Sequence, residues 1–160
     1  MKDQKLPILG WREWLALPEL GLPGIKAKVD TGARTSALHA FSVEPYFKEG
    51  RQFVRFHVHP LPGNNDLVRV CEAAVIDTRR VTDSGGHVED RFVIQTTAVI
   101  TDISFPIELT LTNRDTMKFR MLLGRTALKQ IGALVAPDRS YQMGPSLRHA
   151  YELSEKENKV

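Results

Sequence analysis

The sequence predicts an all-β fold, a mostly antiparallel barrel or sandwich that carries one short helix towards its C-terminal end. Apolar and polar residues alternate over several stretches, most regularly at 103–112. Segments rich in Pro, Gly, Asn and Asp separate those stretches at short intervals. Residues 125–131 show helical spacing of apolar side chains, with Gly132 as the stop. Short strands at this spacing are typical of barrels and sandwiches.

The elements follow in order along the chain. Strands are predicted over 6–17, 25–29, 36–43, 51–60, 67–78, 88–100, 103–112 and 119–123. The first is ambiguous, because its tryptophans would also fit one face of a helix. The Pro- and Gly-rich segment 18–24 predicts a turn, so a hairpin leads into the strand at 25–29. A polar loop is expected at 44–50, a turn at 61–66 and a break at 83–86.

Length and composition favour one domain, 1–160, with its core at about 6–144 and a charged, mobile tail at 148–160. The 42% hydrophobic content is sufficient for a core. The single cysteine, Cys71, excludes an internal disulfide and favours a reducing compartment. No apolar run has the length of a signal peptide or a membrane span, so we expect a cytoplasmic protein.

The net charge of +3 is a modest excess for a chain of this size. An acidic substrate or nucleic acid would suit it. The chain has no stripe of interleaved aromatic and basic residues, which nucleic-acid binders use for stacking and phosphate contacts. We therefore expect neither a nucleic acid nor a membrane as partner.

The first candidate site follows the strand at 25–29. Apolar residues at alternate positions lead to Asp30, Thr31 and Gly32. A strand holds a carboxylate rigidly, and glycine lets the backbone turn sharply beside it. The threonine hydroxyl can stabilise the turn by a hydrogen bond. An aspartic peptidase needs this arrangement, although hydrophobic-Asp-Thr-Gly also occurs in ordinary turns.

A second stretch, 119–132, combines an apolar strand, a glycine turn and the predicted helix. An Asp-Thr-Gly-Ala turn followed about ninety residues later by Leu-Leu-Gly-Arg and a helix resembles one lobe of the retropepsins, the aspartic peptidases of retroviruses. Residues 10–14, 28–40 and 109–115 are similar, more narrowly, to bacterial retropepsin-like proteins. Those proteins are often labelled ATP-dependent zinc proteases and are associated with RimK-type ATP-grasp ligases. The resemblance covers about 8–144 and implies a single-lobe, closed-barrel acid-protease fold.

The resemblance implies that Asp30 is catalytic, with Thr31 and Gly32 shaping its turn. Aspartic peptidases need two carboxylates that share one proton, because two such groups about 3 Å apart cannot both ionise. One lobe supplies one carboxylate, so the mechanism predicts a homodimer with an Asp30 from each subunit. Asp83 is the alternative within one chain. It lacks an apolar lead-in and a second Leu-Leu-Gly element, so we do not expect an intrachain pair.

The predicted substrate-binding residues come from three segments: Ala33, Arg34, Ser84, Gly85, Gly86, His87 and Arg125. Counted back from Leu-Leu-Gly, 84–87 fall where retropepsins carry a flap over the substrate; the alternative is a surface hairpin. Retroviral members usually carry an acid where Arg34 stands, and that acid pairs with the arginine at the position of Arg125. Here both positions are cationic, so that ion pair cannot form.

Arginine binds carboxylates through two parallel hydrogen bonds, so we hypothesise that Arg34, Arg125 or both recognise substrate carboxylates. Alternatively, Asp115, Glu108 or another acid neutralises one of them structurally. RimK-type ligases add glutamates to protein termini. The resemblance therefore implies an acidic peptide or glutamylated protein as substrate, with a RimK-type ATP-grasp ligase as a further partner.

We predict no cofactor and no metal site. His57 and His59 share one strand face, and His39, Cys71 or His87 could join them, but no third ligand stands at an informative spacing. There is also no Gly-rich phosphate loop for ATP. The predicted function is an aspartic endopeptidase that hydrolyses peptide or glutamyl amide bonds and trims glutamate tails. The alternatives are a non-catalytic module that binds an acidic peptide or the ligase, and a zinc-dependent peptidase.

Overall fold

The structure, a computed structural model, describes residues 6–83, 85–113 and 118–152. Its strands are β1 (Ile8–Leu9), β2 (Arg12–Leu17), β3 (Leu22–Val29), β4 (Ser36–His39), β5 (Ser42–Lys48), β6 (Arg51–Val58), β7 (Arg69–Thr82), β8 (Val88–Ile100), β9 (Ile103–Thr112), β10 (Met121–Leu123) and β11 (Leu134–Val135). A 3-10 helix covers Pro18–Leu20, and the α-helix α1 covers Arg125–Gln130. The predicted all-β class with one short helix near the C-terminal end is confirmed.

Six strands close into a ring. Nine strands form one sheet in the order β2-β3-β10-β4-β9-β8-β7-β6-β5, while β1 and β11 pair separately. β2 also pairs with β8, where Ala16 lies opposite Val99, so the order from β2 to β8 returns to its start. β7, β6 and β5 continue beyond the ring as an antiparallel extension. The ring therefore has no free edge between β2 and β8.

The core is built by side chains that alternate along the ring strands. In β9, Phe105, Ile107 and Leu109 are at most 5% exposed, which confirms the alternation predicted for 103–112. Fully buried side chains on the other strands complete this core: Leu15, Leu17, Leu22, Ile25, Leu38, Phe56, Ile94, Ile100, Met121 and Leu123. Burial of each such side chain contributes about 1.5–3 kcal/mol, so this shared core holds the ring together.

Several predicted boundaries were wrong: the strand predicted at 36–43 is divided between β4 and β5, and the turn predicted at 18–24 ends where β3 begins at Leu22. Two further differences have a physical reason. The strand predicted at 6–17 is interrupted at 10–11, because the Gly10 backbone packs directly against the Arg139 carbonyl. The predicted loop at 44–50 is mostly strand, since β5 runs on to Lys48. β5 is the outer edge of the sheet, and an edge strand accommodates proline and charged side chains that a central strand would exclude. Polarity in this stretch therefore indicated an edge and not a loop.

The charged C-terminal stretch begins with packed residues. Tyr151 is 2% exposed and clusters with Trp14 and Leu61. Its hydroxyl donates a hydrogen bond to the carbonyl of Gly24. Within the predicted tail the structure describes 148–152, where Tyr151 packs against the domain, and the rest of that stretch lies outside the described residues. No helix in the described part of the chain is long and apolar enough to cross a membrane.

Candidate active site

The two sequence motifs meet at one edge of the ring. β3 and β10 pair in parallel, with Val29 opposite Leu123, so the turns that follow them leave the sheet side by side. The amide of Asp30 donates to the carbonyl of Leu123 at 2.9 Å. β4 pairs with β10 on its other side. Asp30 therefore begins a turn whose first hydrogen bond joins the two strand ends.

The turn at 30–36 is fastened to the start of α1. The amide of Arg125 donates to the carbonyl of Ala33 at 2.7 Å. Thr126 donates to the carbonyl of Arg34 twice, from its amide at 3.1 Å and from its hydroxyl at 2.8 Å. These bonds satisfy amides at the helix start that have no partner within the helix, and they fix the turn at the same time.

Gly124 allows this close approach. A Cβ atom at Gly124 would lie 2.7 Å from the carbonyl carbon of Thr35 and 3.0 Å from the carbonyl oxygen of Ala33. Backbone atoms cannot move aside as a flexible side chain can, so any other residue would push the turn away from the helix. The amide of Gly124 also donates to the hydroxyl of Ser36 at 2.9 Å. The Gly of the Leu-Leu-Gly element thus serves the Asp30 turn directly.

The carboxylate of Asp30 is half-buried and only partly engaged. Its Oδ1 accepts a hydrogen bond from the amide of Gly32 at 2.9 Å. No described residue donates a hydrogen bond to its Oδ2. A Cβ at Gly32 would lie 3.2 Å from the Asp30 Oδ1, so glycine leaves the carboxylate uncrowded. One oxygen of Asp30 therefore stays available to a water or a substrate.

Asp30 lines a cleft of about 1170 Å³. One wall is the turn with the start of α1, and the other is formed by β7, β8 and β9. Charged side chains are frequent among the lining residues: Asp30, Arg34, Arg79, Arg80, Asp83, Arg91 and Glu108. Cations exceed anions in this set, so the cleft favours an anionic ligand.

The arginines around the cleft differ in the number of carboxylates with which they pair. Arg79 contacts Asp77 at 2.8 Å and Glu108 at 2.9 Å, and its hydrogen bond lowers the pKa of Asp77. Glu108 therefore pairs with Arg79. Arg34 forms no ion pair with any described residue. Of the acids proposed from sequence as structural partners of Arg34 or Arg125, Asp115 lies outside the described residues.

The two predicted arginines take different positions relative to the cleft. Arg34 lines the cleft, together with Ala33. Arg125 lies outside the set of lining residues and donates from Nη1 to the carbonyl of Thr31 at 3.0 Å. Thr31 itself is exposed at the apex of the turn. Arg34 is thus placed to meet a ligand in the cleft, and Arg125 to brace the turn from outside.

The predicted flap is the tip of the hairpin formed by β7 and β8. Asp83 Oδ1 accepts hydrogen bonds from the amides of Gly85 at 2.7 Å and His87 at 3.0 Å, and Oδ2 lies 3.5 Å from the His87 Nδ1. Asp83 lines the cleft, while Gly85, Gly86 and His87 are exposed beyond it. Ser84 lies outside the described residues. Asp83 therefore caps the hairpin tip.

Neither Cys71 nor any of the histidines is among the residues that line the cleft. His57 and His59 pack against the Phe41 ring, with centroids at 5.7 Å and 4.1 Å. Cys71 donates to the carbonyl of Leu20 at 3.2 Å, and burial raises the pKa of its thiol to about 12. Within 6–83, 85–113 and 118–152, no three His, Cys, Asp or Glu side chains gather as metal ligands would.

Sequence reasoning missed the three arginines of the hairpin. Arg79 and Arg80 on β7 and Arg91 on β8 all line the cleft. Arg79 lies directly opposite Arg91 in the strand register. Arg91 falls within the strand predicted at 88–100, but Arg79 lies just beyond the strand predicted at 67–78, because β7 runs on to Thr82. The register that brings the two together depends on the hairpin turn and on an irregularity between Val75 and Asp77. Alternation alone could not reveal that they share a cleft.

The fold and the Asp-Thr-Gly turn define a retropepsin-like chain. A family model described as RimB-like, retropepsin-like aspartic endopeptidase RimB, matches residues 8–145. The chain belongs to this RimB-like family.

Curated relatives carry a different name. A protein of Shewanella halifaxensis named "Probable alpha-L-glutamate ligase" is 44% identical over 144 residues, which is 90% of this chain and 31% of the relative. A protein of Parasynechococcus marenigrum with the same name is 48% identical over 138 residues, 86% of this chain and 29% of the relative. The chain spans about a third of the length of the curated relatives it matches.

A solved structure shares the fold. It is the crystal structure of a protein of unknown function from Legionella pneumophila, with a TM-score of 0.73 and 26% identity. The match covers 87% of this chain and 99% of that one.

Proposed function

We propose that this chain is an aspartic-type peptidase that works as a homodimer, with one Asp30 contributed by each subunit. The observation that carries the proposal is the position and the hydrogen bonding of the Asp30 carboxylate. It stands at the end of a rigid strand, lines a large cleft, and keeps its Oδ2 free of hydrogen bonds from the described residues. Membership of the RimB-like family supports the same reading.

A second carboxylate is needed, and a second copy of the chain is its best source. Asp83 lines the same cleft, but two backbone amides of its own hairpin already bind its Oδ1. A two-fold dimer would bring equivalent turns together at the axis. Held about 3 Å apart, two Asp30 carboxylates would share one proton, since both cannot ionise at that distance.

The shared proton defines the reaction. The ionised Asp30 takes a proton from water while the water oxygen attacks the scissile carbonyl carbon, and the protonated Asp30 donates a hydrogen bond to the carbonyl oxygen. The resulting tetrahedral intermediate breaks its C–N bond as a proton passes to the leaving amine nitrogen. The products are a carboxylic acid and an amine, which exchange a proton in water to become a carboxylate and an ammonium group, and the pair of acids returns to one shared proton.

The substrate we propose is an acidic peptide, in particular a glutamate tail on a protein. The arginines that line the cleft support this choice, because arginine recognises carboxylates with two parallel hydrogen bonds. Relatives named glutamate ligases contain a region similar to this chain. That combination suggests a RimK-type ATP-grasp ligase as a partner whose product this chain would trim.

The test uses a protein substrate ending in several glutamates and follows its mass after incubation with the purified chain. We expect glutamates to be released by wild type and by Asp102→Asn, which changes an exposed acid at the β8–β9 turn, and not by Asp30→Asn. Cleavage by Asp30→Asn at the wild-type rate would overturn the proposal. Binding without cleavage by the wild type would favour the non-catalytic module. Loss of wild-type activity with a chelator and recovery with zinc would favour the metallopeptidase.

A further inference from the structure

Among the charged side chains that line the cleft and take no part in the proposed reaction, Arg91 is the most deeply buried. It lies on β8, is 7% exposed, and belongs to the lining of the cleft that contains Asp30. A buried cation is costly unless an anion and hydrogen bonds compensate it. Its partners therefore show how much of its charge the protein neutralises.

The protein leaves part of the guanidinium unused. Arg91 Nε donates to Glu89 Oε2 at 3.2 Å, and Nη1 donates to the hydroxyl of Thr110 at 3.4 Å. Nη2 donates to no residue in the part of the chain that the structure describes. Because a guanidinium carries five N–H donors in a planar fork, at least two have no partner among the described residues, on a side chain that lines the cleft.

The neighbouring charges leave Arg91 less compensated than Arg79. Arg79 lies opposite Arg91 in the strand register, but it holds two carboxylates, those of Asp77 and Glu108. Among the described residues, Arg91 has one carboxylate partner, Glu89, whose carboxylate is shared with the hydroxyl of Thr112 at 3.2 Å. Two like charges opposite each other on neighbouring strands repel, so an anion bound beside Arg91 would reduce the repulsion between Arg91 and Arg79.

Hydrogen bonds connect Arg91 to the Asp30 turn. The hydroxyl of Thr110, which accepts from Arg91, donates to the carbonyl of Ser36 at 3.4 Å. The Ser36 hydroxyl in turn accepts from the amide of Gly124, next to the strand end that holds Asp30. An anion bound at Arg91 would therefore occupy the cleft alongside the turn, where a peptide reaching Asp30 must lie.

We propose that Arg91 determines specificity by binding a side-chain carboxylate of the peptide that occupies the cleft. This inference rests on the proposed function, and it names the group that distinguishes glutamate from its neutral isostere glutamine. The planar donors of Arg91 fit the two oxygens of a carboxylate, whereas a glutamine amide would present a donor to a donor. Arg34, which lines the same cleft from the Asp30 turn, assists by attraction from its exposed position.

The experiment measures binding first, in the Asp30→Asn background, so that cleavage plays no part. Fluorescently labelled oligoglutamate and oligoglutamine peptides of equal length are titrated with Asp30→Asn, with Asp30→Asn/Arg91→Gln and with Asp30→Asn/Arg91→Lys. We expect Arg91→Gln to weaken oligoglutamate binding about tenfold to hundredfold and to change oligoglutamine binding less than about threefold. Arg91→Lys keeps the charge without the fork and should recover part of the affinity.

The control is Arg55→Gln, which removes an exposed arginine that pairs with Glu72 on the sheet extension outside the cleft. It should leave the preference for oligoglutamate unchanged. Thermal melts of all variants check that they fold. If Arg91→Gln is folded and weakens both peptides equally, or neither, the role of Arg91 is overturned.

Turnover by the Asp30-containing proteins separates this inference from the proposed function. If wild type cleaves neither peptide while binding still depends on Arg91 and on glutamate, the proposed function fails and the Arg91 site stands. If wild type cleaves oligoglutamate and Arg91→Gln retains the same ratio of kcat/KM for glutamate over glutamine, the peptidase stands and the Arg91 site fails.

Discussion

Two carboxylates in this molecule differ in how completely the protein satisfies their hydrogen bonds. Glu13 on β2 is 0% exposed, and its two oxygens accept hydrogen bonds from the amides of Gly10 at 2.7 Å, Gln142 at 2.8 Å and Met143 at 3.0 Å. Asp30 is half-buried, accepts from Gly32, and leaves its Oδ2 free among the described residues. Glu13 thus fastens the C-terminal segment to the ring, whereas Asp30 presents an oxygen to a cleft.

This difference in hydrogen bonding distinguishes structural acids from reactive ones. A buried acid whose lone pairs are occupied by backbone amides stabilises the fold, and removing it leaves those amides without partners. An acid that the surrounding backbone positions but does not saturate contributes little to stability and remains free to bind water or exchange a proton. Substitutions at the two sites should therefore affect stability and activity in opposite proportions.

The largest expected loss of stability is at Glu13. Glu13→Ala leaves three backbone amides without their acceptor and removes the side chain that fills their site, so we expect the free energy of unfolding to fall by about 3–5 kcal/mol. Urea denaturation measures this change. Glu44→Ala on the exposed edge strand β5 is the control and should shift it by less than about 0.5 kcal/mol. A loss below about 1 kcal/mol at Glu13 would contradict its structural role.

The next largest effect is expected at Gly124, where the Asp30 turn touches the helix. Gly124→Ala would place a Cβ 2.7 Å from a backbone carbon of Thr35, so we expect a loss of about 2–4 kcal/mol in the free energy of unfolding. Gly144→Ala is a matched control, because its Cβ would meet only the Thr101 hydroxyl at 3.7 Å. Equal stability of the two variants would show that the turn and the helix are not locked together.

A smaller effect is expected at Tyr151, which assists Glu13 in holding the C-terminal segment. Tyr151→Phe removes the hydroxyl that donates to the carbonyl of Gly24, and we expect a loss of about 1 kcal/mol. The measurement is again urea denaturation at neutral pH. An unchanged midpoint would mean that the buried ring alone holds the segment.

The titration of Tyr151 gives an independent check. Burial raises the pKa of Tyr151 from 10.0 to about 12. Between these values the unfolded chain loses a proton that the folded chain keeps, so the stability of the native state falls as the pH rises through this window. Tyr151→Phe should show a shallower fall over the same range than the wild type. Parallel curves would contradict the raised pKa.

The smallest change in stability is expected at Asp30. Asp30→Asn keeps the shape of the side chain and an oxygen for the amide of Gly32, so we expect the free energy of unfolding to change by less than about 0.5 kcal/mol. The same urea titration measures it beside Glu13→Ala. A loss above about 1.5 kcal/mol would place Asp30 with Glu13 among the structural acids and remove the contrast between them.

The sequence predicted the parts of this contrast that depend on local pattern. Alternating apolar residues located β9 and the strand that leads to Asp30, and the helical spacing of apolar residues before Gly132 located α1. The resemblance to retropepsins placed Arg34 and Arg125 at positions that pair in retroviral members, and the structure joins 30–36 to the start of α1 through backbone hydrogen bonds.

What the sequence did not reveal depends on contacts between distant segments. Glu13 meets Gln142 and Met143 from the other end of the chain, and nothing in the local pattern around Glu13 indicates that its partners are backbone amides. Arg91 comes to the cleft through strand register, which a single irregularity in β7 shifts by one residue. Tyr151 lies in a charged stretch whose composition is typical of a mobile tail, yet its ring is buried against Trp14 and Leu61 from distant parts of the chain.

The most direct test of the central claim, that catalysis uses a free Asp30 carboxylate from each of two subunits, is a mixing experiment. A fixed amount of active wild type is equilibrated with increasing amounts of Asp30→Asn, and cleavage of a glutamate-tailed protein is followed. Because a mixed dimer would hold a single carboxylate, an equal amount of the variant should reduce the activity to about half, and a large excess should abolish it. Activity that stays constant at every ratio would show that each chain works alone and would contradict the account.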